Sequence, residues 1–457
     1  MGLAVAIALG SAAGFAAAGP VPPTPVSGAT PQAVEVPVTT TSYAVFDRHG
    51  HQDRATWRTS AAGGNCCETY VTATPTGRIV ESGGTYPWYT PDQGRHWFEV
   101  KFDIPDQNDN GSVVAGGEGA SVVGAGGDVY GVTWDAYSGD HLQAYRYKAQ
   151  TDSWQVADIV MKSPFYDRPW ITYAQGPFTL DGTKTRQLLD STGGGITKDI
   201  DTLSPDGLDY RDPSYFAHDE AAAPTGKFRI DVARNPDADW WQPHPGTGTM
   251  PLTAGGVLRF FNNDDLTGDQ GCKIARLVPA TSTWQCVKVA GTFQPGIIRQ
   301  DSRGYLTDVY SVDGGAALEL ATSRDGGLHW RTTTLRPPGK NLHLETPSMY
   351  DVVANGRLGQ AVVSARFDDA ASHGQDMVFR VNIKKPQPQR METYLVGKGD
   401  LNTANNVLGS LGDRFDYESV ALLPDGRIAV SFDDSTCEQP TARNPDHHGP
   451  QVAILVR

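Results

Sequence analysis

The sequence is short of positive charge. Its 457 residues include 38 lysines and arginines against 52 aspartates and glutamates, a formal net charge of −14 at pH 7. Such an acid excess repels duplex nucleic acid and anionic membrane surfaces, so we expect neither as a partner. The chain also lacks a phosphate-binding glycine loop, because Gly193 to Gly195 are not followed by Gly-Lys-Ser or Gly-Lys-Thr.

The first 34 residues carry no Asp, Glu, Lys or Arg. Leu3 to Ala18 form an apolar run rich in alanine and glycine, and prolines follow it. A short run of this kind is typical of a cleaved secretory leader rather than a membrane anchor. We therefore expect a signal peptide at residues 1–18, a Pro-rich linker at residues 19–41, and a secreted monomer without a membrane span after cleavage.

Cysteine is scarce, with five residues in a pattern that suits an oxidising compartment. Cys272 and Cys286 flank two strand-like segments, which predicts a disulfide across one hairpin. A bond from Cys66 or Cys67 to Cys437 would join the two ends of the chain. No second cysteine pair or nearby histidine cluster completes a zinc site at the adjacent cysteines.

Helical patterning is absent beyond residue 42, where short alternating runs are separated by turns. Four segments share an acid, an apolar strand, a turn with glycine and a second strand: residues 68–80, 118–130, 345–358 and 418–430. Looser copies begin at Asp167, Thr253 and Ile297, and successive starts are 44 to 86 residues apart. A four-stranded propeller blade takes ~40–50 residues.

This spacing predicts an all-β fold, a six- or seven-bladed β-propeller of four-stranded antiparallel blades, with seven favoured. It would form a single domain over residues 42–457, with an insertion at residues 181–251. We expect residues 42–46 or 54–59 to add an outer strand to the last blade, beside residues 452–456.

Two segments carry a sharper signature. The pattern Ser/Thr-x-Asp-x-Gly-x-x-Trp is matched by Thr90, Asp92, Gly94 and Trp97, and again by Ser323, Asp325, Gly327 and Trp330. In such a hairpin the Asp bonds turn amides, the Gly takes an unusual dihedral and the Trp packs between hairpins. This is the Asp-box pattern, and over residues 42–457 the chain resembles the sialidase-like superfamily of secreted Asp-box β-propellers.

The repeats also place acids at equivalent strand starts. Those starts converge at one mouth of a propeller channel, which predicts a ring of carboxylates from Glu68, Glu118, Asp167, Glu345 and Glu418. Crowded carboxylates raise one another's pKa values, as a general acid requires. The same side chains could instead bond backbone amides between blades or hold a cation.

The resemblance implies an exo-acting glycoside hydrolase. In sialidases three arginines hold the substrate carboxylate, an Asp acts as acid and base, and a Glu activates a Tyr. The matching residue types are Arg168, Arg299 and Arg414 for substrate binding, and Asp167, Tyr417 and Glu418 for catalysis. The Arg-Ile-Pro tripeptide that introduces the first sialidase arginine is absent.

Two other functions stay open. One is a non-catalytic propeller that binds a glycan or a protein at the same mouth. The other is a uronate polysaccharide lyase that uses His218 and Arg211 of the insertion, where Trp240 and Trp241 offer aromatic faces to a sugar or plug a gap. A structural calcium ion is the one cofactor suggested, because residues 106–111 resemble the start of a calcium loop.

Overall fold

The described part of the protein consists of β-strands. The computed structural model describes residues 25–26, 29–60, 62, 70–82, 86–102, 119–134, 141–160, 167–180, 183–194, 200–210, 249–253, 257–260, 274–278, 283–287, 297–344, 350–368, 374–396, 419–433 and 450–456. Within these residues the only helical element is a 3-10 turn at Asp313–Gly315. The sheets are antiparallel, so the predicted all-β class is confirmed.

The strands have the following bounds. They are β1 (Pro25–Val26), β2 (Thr30–Val34), β3 (Val38–Asp47), β4 (Gln52–Ser60), β5 (Val71–Ala73), β6 (Ile79–Glu81), β7 (Trp88–Thr90), β8 (Trp97–Lys101), β9 (Gly119–Val123), β10 (Val129–Trp134), β11 (His141–Lys148), β12 (Ser153–Val160), β13 (Asp167–Leu180), β14 (Thr183–Gly194), β15 (Ile200–Ser204), β16 (Thr249–Pro251), β17 (Val257–Phe260), β18 (Ile274–Val278), β19 (Thr283–Val287), β20 (Ile297–Gln300), β21 (Leu306–Val312), β22 (Ala317–Ser323), β23 (Arg331–Leu335), β24 (His343–Leu344), β25 (Tyr350–Asn355), β26 (Gln360–Asp368), β27 (Gly374–Asn382), β28 (Gln389–Leu395), β29 (Ser419–Leu422), β30 (Ile428–Asp433) and β31 (Pro450–Leu455).

Consecutive strands pair into groups that we call units. Unit 1 is β5 to β8, unit 2 is β9 to β12, unit 3 is β13 to β15, unit 4 is β16 to β19, unit 5 is β20 to β23, unit 6 is β25 to β28, and unit 7 is β29 to β31 with β4. The first strands of units 1, 2, 3, 5, 6 and 7 contact one another in that order, and β29 returns to β5. Their apolar side chains form the core between the units.

A strand from the start of the chain completes the last unit. Strand β4 pairs with β31 from Val452 opposite Ser60 to Leu455 opposite Trp57. Trp57 is fully buried there. This is the pairing that the sequence predicted for residues 54–59, whereas β3 pairs with β28 and so joins units 6 and 7 into one sheet.

The segment predicted as a linker contributes strands as well. Strand β2 pairs with β8 of unit 1, β1 pairs with β12 of unit 2, and β3 begins at Val38 rather than at residue 42. Four of the five side chains of β2 are exposed. Edge pairing of this kind rests on backbone hydrogen bonds, so it leaves little hydrophobic pattern in the sequence.

The predicted Asp boxes are confirmed in detail. Asp92 accepts hydrogen bonds from the amides of Arg95 (3.2 Å) and His96 (3.0 Å), and the amide of Gly94 donates to Thr90 Oγ1 at 2.8 Å. Burial alone would raise the pKa of Asp92, but its bonds with His96 and Thr90 outweigh this and lower the pKa. Trp97 is fully buried against unit 7. In the second box the amide of Gly327 donates to Ser323 Oγ (3.0 Å) and the amide of His329 donates to Asp325 (3.0 Å).

A third box of similar geometry follows β15. Ser204 Oγ bonds Asp206 Oδ1 (3.2 Å), Gly207 N donates to Ser204 Oγ (2.8 Å), and Asp209 N donates to Asp206 (2.9 Å). Its sequence lacks one residue between Asp and Gly, and the buried Tyr210 stands where the other boxes have tryptophan. Because of these two departures, the third box does not match the sequence pattern of the other two.

The boundary of the predicted insertion therefore moves. Strands β14 and β15 extend the sheet of β13, and the third box follows them, so residues 183–210 belong to unit 3. Residues 211–248, which include Trp240 and Trp241, lie outside the described residues.

The cysteine pairing stays a prediction. Strands β18 and β19 form the predicted hairpin, and Cys286 lies opposite Ala275. Cys66, Cys67, Cys272 and Cys437 lie outside the described residues.

Candidate functional site

Polar groups from four units meet on the first strands, at or near the strand starts in units 1, 6 and 7 and near the end of β20 in unit 5. Arg299 of β20 donates from Nε (3.2 Å) and from its second terminal nitrogen (3.1 Å) to Asp351 Oδ1 on β25. The other carboxylate oxygen of Asp351 accepts from the amide of Val420 on β29 at 3.2 Å. Tyr70, just before β5, lies with its ring 5.0 Å from the guanidinium carbon of Arg299. We call these four residues the Arg299 cluster.

The Arg299 cluster is withdrawn from water. The side chain of Arg299 is 11% exposed and that of Asp351 is 2% exposed. Burial disfavours the charged guanidinium, but the adjacent Asp351 carboxylate outweighs it and raises the pKa of Arg299. Burial also raises the pKa of the Tyr70 phenol. The cluster therefore holds one matched ion pair with an aromatic ring stacked on the cation.

A chain of buried hydroxyls continues between units 1 and 2. Tyr145 donates to Ser82 Oγ (2.6 Å), Ser82 donates to Ser121 Oγ (2.9 Å), and Ser121 donates to Thr72 Oγ1 (2.8 Å). Burial raises the pKa of Tyr145. A fully paired network of this kind rigidifies the strands that carry it.

The first strand of unit 7 is fixed in the same region. Ser419 Oγ accepts the amide hydrogen of Val71 at 2.8 Å, and the bond joins β29 to β5. Together with the bond from Val420 to Asp351, it ties the start of β29 to units 1 and 6. Glu418 directly precedes Ser419 in the sequence, and Glu118 directly precedes β9.

Among the residues predicted for the site, Arg299 alone has a described side chain. Asp167 and Arg168 are the first two residues of β13, and only their backbone is described. The others lie outside the described residues: Tyr417, Glu418, Arg414, Glu68, Glu118, Glu345, Trp240 and Trp241. The catalytic and substrate-binding assignments therefore stay predictions.

Sequence reasoning missed Tyr70 and Asp351. Both lie inside the repeated segments, but the repeats were aligned on their leading acids. The turns after the first strands offer a better marker, because Gly77 and Gly426 share a φ of 85° and the same pair of turn hydrogen bonds. Alignment on these glycines places Tyr70 level with Ser419, at the positions where the first strands meet.

In the described ranges, no group of three or more His, Cys, Asp or Glu side chains could hold a metal ion. The calcium-like loop at residues 106–111 falls outside those ranges. The described residues also include no helix long and apolar enough to cross a membrane.

Comparisons with known proteins assign no family to the chain. No protein-family model and no curated protein matches it. Similar solved structures include a chain of the Mitotic Checkpoint Complex, with a TM-score of 0.42, 6% identity and 98% of each chain covered. A protein of unknown function from Dyadobacter fermentans has a TM-score of 0.38 and 12% identity over 92% of this chain and 98% of that chain.

An intramolecular trans-sialidase from Ruminococcus gnavus is also similar. Its TM-score is 0.33 with 12% identity, over 85% of this chain and 94% of the trans-sialidase. At TM-scores below 0.5 these similarities carry no argument about function.

Proposed function

We propose that the seven units are the blades of one β-propeller of the Asp-box, sialidase-like kind. Three observations support this proposal. The first strands of units 1, 2, 3, 5, 6 and 7 contact one another in a succession that returns to its start, the N-terminal strand β4 completes the last unit, and three Asp boxes follow the third strands of units 1, 3 and 5. Such boxes hold one hairpin against the preceding unit.

We further propose that the protein is secreted and hydrolyses a glycan at the end where the first strands begin. The observation that carries this proposal is the Arg299 cluster, in which four units place an arginine, a carboxylate, a phenol and a backbone amide together. Asp167, Tyr417 and Glu418 would act on the glycosidic bond, and Arg168, Arg299 and Arg414 would attract a substrate carboxylate.

A non-catalytic glycan-binding propeller is the second candidate. It is favoured by the state of Arg299, whose guanidinium is paired with Asp351 and covered by Tyr70 instead of facing the surface. An arginine held in this way organises the strand starts and leaves substrate recognition to other side chains.

The test is release of a fluorescent aglycone from sialosides and from a panel of other glycosides. We expect turnover on at least one substrate and a loss of about 10²–10⁴-fold in kcat for Glu418→Gln, because general acid–base catalysis contributes about that much. Glu99→Gln is the matched control, since Glu99 lies on β8, the fourth strand of unit 1, beside Lys101. Unchanged thermal midpoints would show that both variants fold.

The outcomes separate the two candidates. Turnover that survives Glu418→Gln would remove Glu418 from the mechanism. Binding of a glycan without turnover of any substrate would support the second candidate.

A further inference from the structure

Four turns of units 5 and 6 lie together, after strands β20, β22, β25 and β27. They are residues 301–305, 323–330, 355–359 and 382–389. Each follows the first or third strand of its unit. Two residues join the turns: the Tyr305 hydroxyl donates to the carbonyl of Ile383 at 3.5 Å, and the Ile383 amide donates to the carbonyl of Gly359 at 3.0 Å.

These turns carry a concentration of positive charge. Arg324 also donates to the Ile383 carbonyl, and its guanidinium carbon lies 5.5 Å from the ring centre of Tyr305. The exposed basic residues of the four turns, which we call the basic patch, are Arg303, Arg324, Arg357, Lys384 and Lys385.

The two carboxylates in these turns are already engaged. Asp301 accepts from the amides of Arg303 (2.9 Å), Tyr305 (2.8 Å) and Gly356 (2.8 Å). Asp325 accepts from the amide of His329 at 3.0 Å and lies 2.6 Å from its Nδ1. Both acids therefore shape the turns and are largely committed to local hydrogen bonds.

The basic side chains have no such compensation. Arg303, Arg357, Lys384 and Lys385 form no ion pair within the part of the chain that the structure describes. Lys385 donates to the neutral amide of Gln389 at 3.1 Å. Like charges on adjoining turns repel one another, and these lie in a chain whose formal net charge is −14.

We propose that the basic patch binds an anionic polysaccharide, through the carboxylate or sulfate groups that such polymers carry at intervals. Charge complementarity is the reason for a polyanion. The strong acid excess of the whole chain disfavours the far denser charge of a nucleic acid duplex. The patch consists of exposed side chains on turns, whereas Arg299 and Asp351 are buried, so failure of the glycosidase test would leave this proposal intact.

The test measures binding of the full chain to immobilised polygalacturonate and heparin at about 50 mM salt, with dextran as the neutral polymer. We expect saturable binding to at least one polyanion, none to dextran, and weaker binding as salt rises. The triple variant Arg357→Gln, Lys384→Gln, Lys385→Gln should bind about tenfold more weakly, because each exposed charge contributes a fraction of a kcal/mol.

The matched control removes three exposed charges elsewhere, with Lys184→Gln, Arg186→Gln and Lys340→Gln. It has the same net charge as the patch variant and should retain most of the binding. Equal losses in the two variants, equal binding to dextran, or tighter binding to duplex DNA or to vesicles of anionic lipid would each overturn the proposal.

Discussion

Replacing Asp351 by Ala is expected to lower the free energy of unfolding by about 3–5 kcal/mol, because it leaves one buried charge without its partner. The Arg299 guanidinium would keep its burial but lose the carboxylate, and the amide of Val420 would lose its acceptor. Chemical denaturation with a fixed m-value measures the change. A loss below about 1 kcal/mol would contradict the buried pair, since exposed pairs give values of that size.

Two further variants separate the ion pair from general damage. Arg336→Ala removes the partner of Asp313 in an exposed ion pair, where both side chains are more than half exposed. This substitution should lower the free energy of unfolding by less than about 1 kcal/mol. The double variant Asp351→Leu, Arg299→Met replaces both charges with apolar groups. It should recover much of the loss, since apolar replacement of a whole buried pair is often neutral.

Gly207→Ala is the second substitution with a large expected effect, and it tests the third Asp box. Gly207 has a φ of 80°, and an added Cβ would lie 2.2 Å from Cδ1 of Tyr130 in unit 2. Tyr130 is buried, stacks on Tyr173 at 6.1 Å and bonds Gln187 at 3.1 Å, so it has little room to move. We expect the free energy of unfolding to fall by about 2–5 kcal/mol, because backbone strain and overpacking act together.

Gly50→Ala is the matched control for Gly207→Ala. Gly50 has a φ of 85° in the turn between β3 and β4, and nothing lies within 4 Å of its added Cβ. Only the backbone strain remains there, and it should lower the free energy of unfolding by about 1–2 kcal/mol. Thermal or denaturant midpoints of the two variants give the difference, and equal losses would mean that the third box does not pack on unit 2.

Local patterns in the sequence predicted much of the fold. Alternating apolar residues and turn glycines predicted the strand pairs, and two Asp boxes predicted the hairpins of β7 with β8 and of β22 with β23. The third box was not predicted because it is one residue shorter than the other two and ends in Tyr210 instead of tryptophan. Strand β2 was not predicted because most of its side chains face solvent and only its backbone pairs with β8.

The candidate site was harder to predict because it depends on contacts between distant parts of the chain. The sequence predicts Arg299 as a substrate-binding arginine, but nothing local to it indicates its partner Asp351 on the next unit. Tyr70 carries no charge and fits an ordinary strand start. Only its contact with Arg299 of unit 5 identifies it as part of the Arg299 cluster.

The most direct test of the central claim is amide hydrogen exchange with and without a glycoside that the protein binds or hydrolyses. If the ligand lies at the end where the first strands begin, protection should be strongest in peptides covering residues 68–73, 345–353 and 414–422. Protection confined to the turns at the opposite end, with none in those three peptides, would contradict the account.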